Sequence, residues 1–330
     1  MNLDPHGNAM NRRQFLARSA KAGASIAVAG AACFWFHDTQ GPDRPGDHHS
    51  DLPLPDFSIE GLETKMSIVR GQDRVGALRL ALKSIGGIEA FIKNGDHVLL
   101  KVNAAFASPA ILSATTHPTV VAELTTLCYS AGAASVVVTD NPINDPASCF
   151  NLTGIAEAAR SNGASVILPR AELFKSLTVP QAKLIRSRPV LYEPLVGITK
   201  LIGVTPVKDH HRSGASMVMK NWYGLLGGRR NIFHQDIHTI IMELAMMVSP
   251  SLVILDGTTT MMSNGPTGGS LSDLKQTSTM IVGTDQVAVD AFGATLLEKT
   301  LNDLPFIGMA EAAGLGTSDY RSLNPVMVEI

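Results

Sequence analysis

Most of the chain alternates between short apolar runs and longer segments with helical periodicity. His97–Val102, Ser135–Thr139 and Ser165–Leu168 are apolar runs of strand length. His117–Ser130 and Leu152–Ser161, which lie between them, carry apolar residues at the three- and four-residue spacing of a helix. Strand–helix–strand units of this kind place successive strands side by side in parallel, with the helices packed against the sheet. The sequence therefore predicts an α/β fold, a mostly parallel sheet with helices on both faces.

The middle of the chain interrupts this alternation. Between Leu173 and Val207, strand-like stretches are broken by Pro180, Pro189, Pro194 and Pro206. Proline has no N–H to donate to a neighbouring strand. This segment is therefore predicted to be an irregular, proline-rich insertion or an edge of the sheet. The alternation resumes with a helix at Ile237–Val248 and a buried strand at Leu252–Leu255.

The amino terminus carries an export pattern. Arg12 and Arg13 stand side by side in Asn11–Leu16, and Ala22–Phe36 is an apolar run rich in Gly and Ala. The twin-arginine translocase reads this combination as an address for folded proteins. The apolar run is also shorter than the ~20 residues of a membrane-spanning helix. The alternatives are a chance arginine pair before an uncleaved anchor helix, or an ordinary secretory signal.

The export pattern predicts three segments and a location. Residues 1–37 are the twin-arginine signal, residues 38–65 are a flexible linker, and residues 66–330 are the α/β domain. We expect the protein to be periplasmic or otherwise exported. Its partner during export is the twin-arginine translocase, and its mature form is not expected to span the membrane.

Composition narrows the partners and cofactors. With 45% hydrophobic residues, 17% charged residues and a formal net charge of −2, the chain is globular and lacks the basic excess that would favour a nucleic acid partner. Only Cys128 and Cys149 lie outside the predicted signal. A self-contained iron–sulfur cluster, which needs four such ligands, is therefore not expected. The sequence leaves open whether these two cysteines form a disulfide.

Polar side chains follow several of the predicted strands. Asn103, Asp140, Lys208, Asp256 and Asp285 each come at or just after the end of an apolar run. Because ligands of open α/β sheets bind beyond the carboxyl ends of the strands, these residues predict a site at one edge of the sheet. For Asp140 and Asp285 the alternative is a helix cap, which strand-to-helix loops require in any case.

Histidines, lysines and arginines are concentrated between Lys208 and His238. His234 and His238 are four residues apart, so on one helix they would share a face, a spacing that suits a divalent metal. A partly exposed helix face gives the same spacing. The cations around Gly227 and Gly228 suit an anion such as phosphate or carboxylate, and a basic surface patch is the alternative.

Several of these residues stand in motifs that resemble those of a known family. The motifs are Leu100-Lys101-Val102-Asn103, Thr115-Thr116-His117-Pro118, Lys208-x-His210, Met219-Lys220-Asn221-x-x-Gly224, His234, Leu255-Asp256-Gly257, Asn264-Gly265-Pro266 and Asp285-x-x-x-x-Asp290. Together they resemble the bacterial and archaeal family catalogued as domain of unknown function 362. Many members of that family are associated with iron–sulfur proteins, so the resemblance implies such an association for this chain. It implies no particular activity. The chain departs from the fused members by lacking a cysteine-rich module, and Met261-Met262-Ser263 stand where the family often has an acidic residue.

These observations assign hypothetical roles to individual residues. Predicted catalytic residues are Lys208, Lys220, Asn221, Asp256 and Asp285; predicted cofactor-binding residues are Lys101, Asn103, Gly224, Asn264 and Gly265; predicted metal ligands are His210, His234 and His238. The function they suggest is a redox enzyme that uses a divalent metal or an anionic cofactor in a Lys/His/Asp cleft, together with a redox partner. One alternative is a non-catalytic accessory protein that carries the cofactor or metal for a periplasmic partner. Another is a purely structural exported scaffold.

Overall fold

The structure, a computed structural model, describes residues 13, 16–17, 19–21, 23–24 and 53–330. Contacts divide the chain into two units, Met1–Arg44 and Pro45–Ile330. The described residues of the first unit are helical. Arg12, most of the predicted signal and the predicted linker up to residue 52 lie outside the described residues. No helix in the described part of the chain is long and apolar enough to cross a membrane.

The second unit is built on a large mixed sheet. Its strands are β1 (Met66–Arg70), β2 (His97–Lys101), β3 (Ser135–Thr139), β4 (Ser165–Ile167), β5 (Phe174–Leu177), β6 (Arg188–Leu191), β7 (Lys200–His210), β8 (Gly214–Ser216), β9 (Leu252–Met261), β10 (Leu274–Gly283) and β11 (Val326–Glu329). The sheet order is β11-β1-β10-β9-β7-β2-β3-β4, and β8 pairs with β7. The pairs β1–β11, β2–β3, β3–β4, β2–β7 and β7–β9 are parallel, whereas β1–β10, β9–β10 and β7–β8 are antiparallel. The predicted mostly parallel sheet is confirmed.

Helices cover both faces of this sheet. They are α1 (Arg74–Ser84), α2 (Ile88–Phe91), α3 (Pro118–Ser130), α4 (Pro146–Leu152), α5 (Ile155–Ser161), α6 (Val218–Asn221), α7 (Ile237–Met247), α8 (Gln286–Leu296) and α9 (Pro305–Ala312). Successive strand residues point to opposite faces. Leu100 and Val138 therefore join the core formed with α1, α3 and α5, and Leu99 and Leu255 join the core formed with α7, α8 and α9.

The proline-rich middle segment divides into two parts. β5 and β6 pair with each other in a separate antiparallel sheet. β7 is instead a central strand of the large sheet, between β2 and β9. The prediction that the segment up to Val207 is an insertion or an edge is therefore wrong for β7. Pro206 is accommodated because the pairing of β7 with β9 shifts register between Pro206 and Lys208, and proline occurs within sheets at such irregularities.

The direction of β10 decides which edge of the sheet its carboxyl end reaches. β10 runs antiparallel to β9, and β9 is parallel to β7. The carboxyl end of β10, at Gly283, therefore lies at the opposite edge from the carboxyl ends of β2, β3 and β7.

Residues 53–65 pack against the domain, so the predicted flexible linker extends too far. Phe57 is 3% exposed and lies in the core. Its N–H donates to the Ser249 carbonyl at 3.0 Å, and its own carbonyl accepts from Ser251 Oγ at 2.6 Å. Ile59 and Leu62 pack against the core on the other face.

Both cysteines of the domain are buried free thiols. Cys128 lies in α3 and Cys149 in α4, and neither forms a disulfide. Burial raises the pKa of Cys128 to about 12 and that of Cys149 to about 11. Both thiols therefore stay protonated near neutral pH. The disulfide that the sequence left open is not formed.

Replacing Phe57 by Ala should lower the free energy of unfolding by about 3–5 kcal/mol, because the loss of a buried aromatic side chain leaves a cavity. Urea unfolding measures the change. Leu152→Ala is the matched control, since Leu152 is 62% exposed. Equal stability of the two variants would show that residues 53–65 behave as a linker.

Candidate functional site

A cavity of about 460 Å³ opens beyond the carboxyl ends of β2, β3 and β7. The predicted site residues that line it are Asn103, Lys208, His210, Lys220, Asn221, Gly224, His234, Asn264 and Gly265. They come from strand ends, from α6, from the 3₁₀ segments Trp222–Leu225 and Arg230–Asp236, and from the loop after β9. The structure thus gathers most of the predicted site at the edge of the sheet where α/β proteins bind ligands.

Three buried residues, Lys101, Asp140 and Asn221, form what we call the floor of the cavity. Lys101 and Asp140 are an ion pair. Lys101 Nζ lies 2.7 Å from Asp140 Oδ1, and both side chains are almost fully buried. Lys101 also donates to Asn221 Oδ1 at 3.2 Å, and Asn221 Nδ2 donates to the carbonyls of Lys101 and Val204. Burial lowers the pKa of Lys101, and the Asp140 carboxylate opposes this shift. Lys101, predicted to bind a cofactor, therefore lies beneath the cavity rather than in its wall.

Gly224 packs directly on this floor. A Cβ atom at position 224 would lie 1.8 Å from Asp140 Oδ1 and 2.8 Å from Lys101 Nζ. The Gly224 carbonyl accepts from the Asn141 N–H at 2.9 Å. The glycine of the Lys-Asn-x-x-Gly motif is therefore required by close packing of the backbone, a structural reason that differs from the predicted contact with a cofactor.

A buried carboxylate holds the helix that carries Lys220. Asp290, fully buried in α8, accepts from the N–H of Val218 at 2.7 Å and from the N–H of Met219 at 3.0 Å. These are donors of the first turn of α6, which have no partner within the helix. Burial raises the pKa of Asp290 to about 7, although its hydrogen bonds to Met219 and Val218 oppose the shift. Asp290 stands in one of the family motifs, but the sequence predicted no function for it.

Lys208 is held inside the wall of the cavity. It is 1% exposed, donates to the Ala114 carbonyl and contacts Asn103 Oδ1 at 3.4 Å. Its Nζ lies 5.2 Å from the centre of the Phe106 ring. Burial, followed by the charge of Lys220, lowers the pKa of Lys208 to about 7.

Lys220 lacks such partners. It is half-buried in the cavity wall, and its ammonium group makes no hydrogen bond or ion pair with any residue in the described ranges. Its Nζ lies 5.2 Å from the centre of the Tyr223 ring. Burial, followed by the charge of Arg230, lowers the pKa of Lys220 to about 8. At neutral pH Lys220 is therefore a cation without a counterion.

The hydrogen bonds of His210 fix its tautomer. Its Nδ1 accepts from the backbone N–H of Arg212 and of Ser213, each at 3.2 Å. Because a backbone N–H can only donate, Nδ1 carries no proton and the neutral ring has its proton on Nε2. Burial, followed by the charge of Lys220, lowers the pKa of His210 to about 2, so the ring stays neutral. Ligation of a metal by Nε2 would remove the last ring proton, which argues against the predicted metal role.

His234 has the opposite tautomer. The Tyr223 hydroxyl donates to the Arg230 carbonyl, so it accepts at its 3.2 Å contact with His234 Nδ1. Nδ1 of His234 therefore carries the proton, and Nε2 has a free lone pair. Burial, followed by the charge of Lys220, lowers the pKa of His234. The rings of His210 and His234 stack with their centres 5.8 Å apart.

The predicted metal pair of His234 and His238 is not formed. α7 begins at Ile237, so His234 lies in the preceding 3₁₀ segment Arg230–Asp236 and does not share a helix face with His238. His238 stacks on Phe306, with ring centres 6.1 Å apart, and lies outside the cavity. Within the described part of the chain, no group of three or more His, Cys, Asp or Glu side chains could hold a metal ion.

Asp256 and Asp285, both predicted to be catalytic, lie away from the cavity. Asp256 pairs with Arg74 of α1 at 2.7 Å. Asp285 caps α8, accepting from the N–H groups of Val287 at 2.8 Å and Ala288 at 2.9 Å. The antiparallel direction of β10 places Asp285 at the opposite edge of the sheet. The alternative interpretation, a helix cap, therefore describes Asp285.

The Asn-Gly-Pro motif shapes one side of the cavity. Asn264 Nδ2 donates to Asp273 Oδ1 at 2.6 Å, and the φ angle of Asn264 is 55°. A Cβ atom at Gly265 would lie 1.9 Å from the Asp209 carbonyl oxygen. The loop Asn264–Thr267 therefore packs closely on β7, and Asn264 stabilises the loop through Asp273.

Part of the cavity was missed by reasoning from the sequence. Phe106 and Ile143 form an apolar wall together with Pro266 of the Asn-Gly-Pro motif, and Tyr223 and Arg230 line the cavity beside Lys220. Tyr223 and Arg230 belong to the basic cluster noted in the sequence. Phe106 and Ile143 lie in loops after β2 and β3, where no periodicity could have singled them out.

Residues 98–295 match the family described as "Domain of unknown function (DUF362)", a match that covers more than half of the chain. The protein belongs to the DUF362 family. The resemblance seen in its motifs is thereby confirmed. A curated relative of this DUF362 protein is the thylakoid-associated protein sll1697 of Synechocystis sp., which is 25% identical over 274 residues, covering 78% of this chain and 77% of the relative.

A solved structure with some similarity is that of the lactate racemase apoprotein from Thermoanaerobacterium thermosaccharolyticum. The TM-score is 0.40 and the sequence identity is 11%, over 74% of the DUF362 chain. The chain spans 58% of the length of that solved protein.

Replacing Gly224 by Ala should destabilise the DUF362 domain by about 1–3 kcal/mol, because the added Cβ cannot fit beside the ion pair of the floor without moving it. Thermal unfolding measures the loss. Gly308→Ala is the matched control, since a Cβ there meets nothing within 4 Å. A Gly224→Ala variant as stable as the Gly308→Ala variant would contradict the close packing described above.

Proposed function

We propose that this DUF362 protein binds a small oxyanion, a carboxylate or a phosphate, with Lys220 as its principal contact. The observation that carries the proposal is the Lys220 ammonium, which is half-buried in the cavity wall without a hydrogen bond or ion pair to any described residue. Removing a cation from water without a partner is unfavourable. An anionic ligand supplies the missing partner through charge-assisted hydrogen bonds.

The charge balance of the cavity favours an anion over a cation. Among the described residues that line it, Asp140 is the one carboxylate, and Lys101 neutralises that carboxylate. Lys220, Arg230 and the charged form of Lys208 also surround the cavity, so among the described lining residues the cations outnumber the single carboxylate. In a partly buried site, such a field attracts anions and repels divalent cations. The anionic ligand is therefore our proposal, in preference to the divalent metal.

The size and the wall of the cavity narrow the ligand further. A volume of about 460 Å³ falls within the roughly 300–1,000 Å³ of small-molecule sites. Phe106, Ile143 and Pro266 give one part of the wall an apolar surface. The ligand that fits is an organic acid or phosphate ester with an apolar portion beside its charged group.

The proposal includes export. Asn11–Leu16 and the apolar run after it support translocation of the folded protein by the twin-arginine translocase. A chain that is exported folded can carry a ligand bound beforehand, so the anion is either a substrate met outside the cytoplasm or a cofactor loaded before export. Redox activity and a redox partner rest on the family resemblance alone.

Replacing Lys220 by Met should weaken anion binding by about 10- to 100-fold, the equivalent of a lost charged hydrogen bond of about 1.5–3 kcal/mol. The same substitution should raise the melting temperature of the ligand-free protein, because it removes a desolvated cation. Calorimetric titration at low salt with inorganic phosphate, citrate, pyruvate and 2-oxoglutarate measures the affinity and separates phosphate from carboxylate ligands.

The control for this experiment is Lys83→Met, since Lys83 is exposed at the end of α1. Binding to the wild type should weaken as the pH rises through about 8, because Lys220 is a cation below that pKa and loses its proton above it. The proposal fails if none of the four anions binds, or if the Lys220→Met variant binds them as tightly as the wild type.

Replacing Arg12 and Arg13 together by Lys should block export, because the translocase reads the arginine pair itself. Fractionation of cells that express the full chain measures the exported share. Arg18→Lys, a single conservative change just beyond the motif, is the control and should leave export unaltered. Export of the double variant at the wild-type level would contradict the twin-arginine assignment.

A further inference from the structure

Of the three histidines that line the cavity, His210, His211 and His234, the first and the last present opposite hydrogen-bonding groups to a ligand. We propose that the site catalyses a proton transfer on its bound anion, with His234 Nε2 as the general base and His210 Nε2–H as the donor to the oxygen that gains negative charge. This inference deepens the oxyanion-binding function proposed above and rests on it.

His234 meets the geometric requirements of a base. Its Nδ1 proton is committed to the Tyr223 hydroxyl, whose own proton is committed to the Arg230 carbonyl. The Asn231 carbonyl is a further acceptor for the ring N–H. These hydrogen bonds orient the ring, and no described residue donates to the Nε2 lone pair of His234, which lines the cavity. Histidine is the side chain that most often acts as a general base in proteins, and the hydrogen bond of one ring nitrogen sets the protonation of the other. Tyr223 is the positioning residue for His234.

His210 meets the requirements of a donor. The turn between β7 and β8 places the N–H groups of Arg212 and Ser213 on Nδ1, so Nε2 must carry the proton. Nε2 has no partner among the described residues, and His210 lines the cavity. A neutral imidazole held in this way donates a hydrogen bond and does not exchange roles with His234. The two stacked rings, 5.8 Å apart at their centres, are close enough for one small ligand to contact both.

A 2-oxo acid is the simplest substrate class with the complementary groups. Its carboxylate binds Lys220, and His234 Nε2 takes a proton from the carbon next to the carbonyl. The electron pair of that C–H bond forms a C=C bond, and the carbonyl becomes an enolate oxygen that accepts from His210 Nε2–H. Return of a proton from the His234 imidazolium restores the 2-oxo acid. The cycle consumes no oxidant, reductant or other reactant.

The tautomers can be tested without a substrate. Long-range ¹H–¹⁵N correlation spectra of the histidine-labelled protein should show His210 as the neutral Nε2–H form and His234, where neutral, as the Nδ1–H form. Tyr223→Phe should abolish the single tautomer of His234 and leave that of His210 unchanged. Finding Nδ1 of His210 protonated, or Nε2 of neutral His234 protonated, would overturn the inference.

Catalysis is tested by hydrogen–deuterium exchange. Pyruvate and 2-oxoglutarate in D₂O should lose the C–H signal next to the carbonyl faster with the protein than without it. His234→Asn keeps an amide donor for Tyr223 and removes the base, so it should reduce the rate by about 10²–10⁴-fold. His210→Asn keeps an acceptor for the two backbone N–H groups and removes the Nε2–H donor, so it should reduce the rate by about 10²–10³-fold. Both variants should bind the acids with affinities close to that of the wild type.

His97→Asn, at the exposed start of β2, is the control and should exchange at the wild-type rate. Binding of a 2-oxo acid without faster exchange, or exchange unaffected by His234→Asn, would overturn the proton transfer and leave oxyanion binding intact. Failure of both acids to bind would overturn this inference together with carboxylate binding.

Discussion

The buried ion pair between Lys101 and Asp140 is the interaction on which the cavity depends. It joins the ends of β2 and β3, and Asn221 extends the connection to β7 through its bond to the Val204 carbonyl. An unpartnered charge at this depth would cost several kcal/mol, so the three groups stabilise the floor only together. Gly224 gives the chain after α6 the clearance to lie on top of the pair.

The paired floor explains why the wall is electrostatically unbalanced. Asp140 is paired with Lys101, so among the described residues that line the cavity no free carboxylate remains for Lys220. Asp290, which does not line the cavity, meanwhile fixes α6 by accepting from its first two N–H groups. The fold therefore holds Lys220 in place while leaving its charge unmatched, which is the arrangement expected of a residue kept for binding rather than for stability.

Much of the fold could be predicted from the sequence, because strand length and helical spacing are local properties. Strand direction is not a local property. Asp285 was therefore expected beside Lys208, whereas the antiparallel direction of β10 places it at the other edge. Helix boundaries are similarly hidden: the His234–His238 spacing predicts a shared face only if one helix contains both, and α7 begins between them. Phe57 sat in a segment of linker-like composition, yet a single aromatic side chain suffices to anchor it in the core.

The site, too, could be predicted only in part: its residues could be found from sequence motifs, but their contacts could not. Motifs found Lys220, Asn221 and Gly224, although the physical reason for each differs: an unpaired cation, a bridge between strands and a close approach of backbone. The proton positions on His210 and His234 could not be read from the sequence, because they depend on which donors reach each ring. The turn after β7 supplies two N–H groups to one ring, and Tyr223 supplies an oxygen to the other.

Anion binding by Lys220 is tested most directly by the pKa of its ammonium group, measured from the ¹³Cε chemical shift of selectively labelled lysine in the presence and absence of pyruvate or inorganic phosphate. We predict a pKa of about 8 in the free protein and a rise toward the ordinary value of 10.5 when the anion binds, since a bound anion favours the charged ammonium. A pKa that stays at its ordinary value in both conditions would contradict anion binding by Lys220.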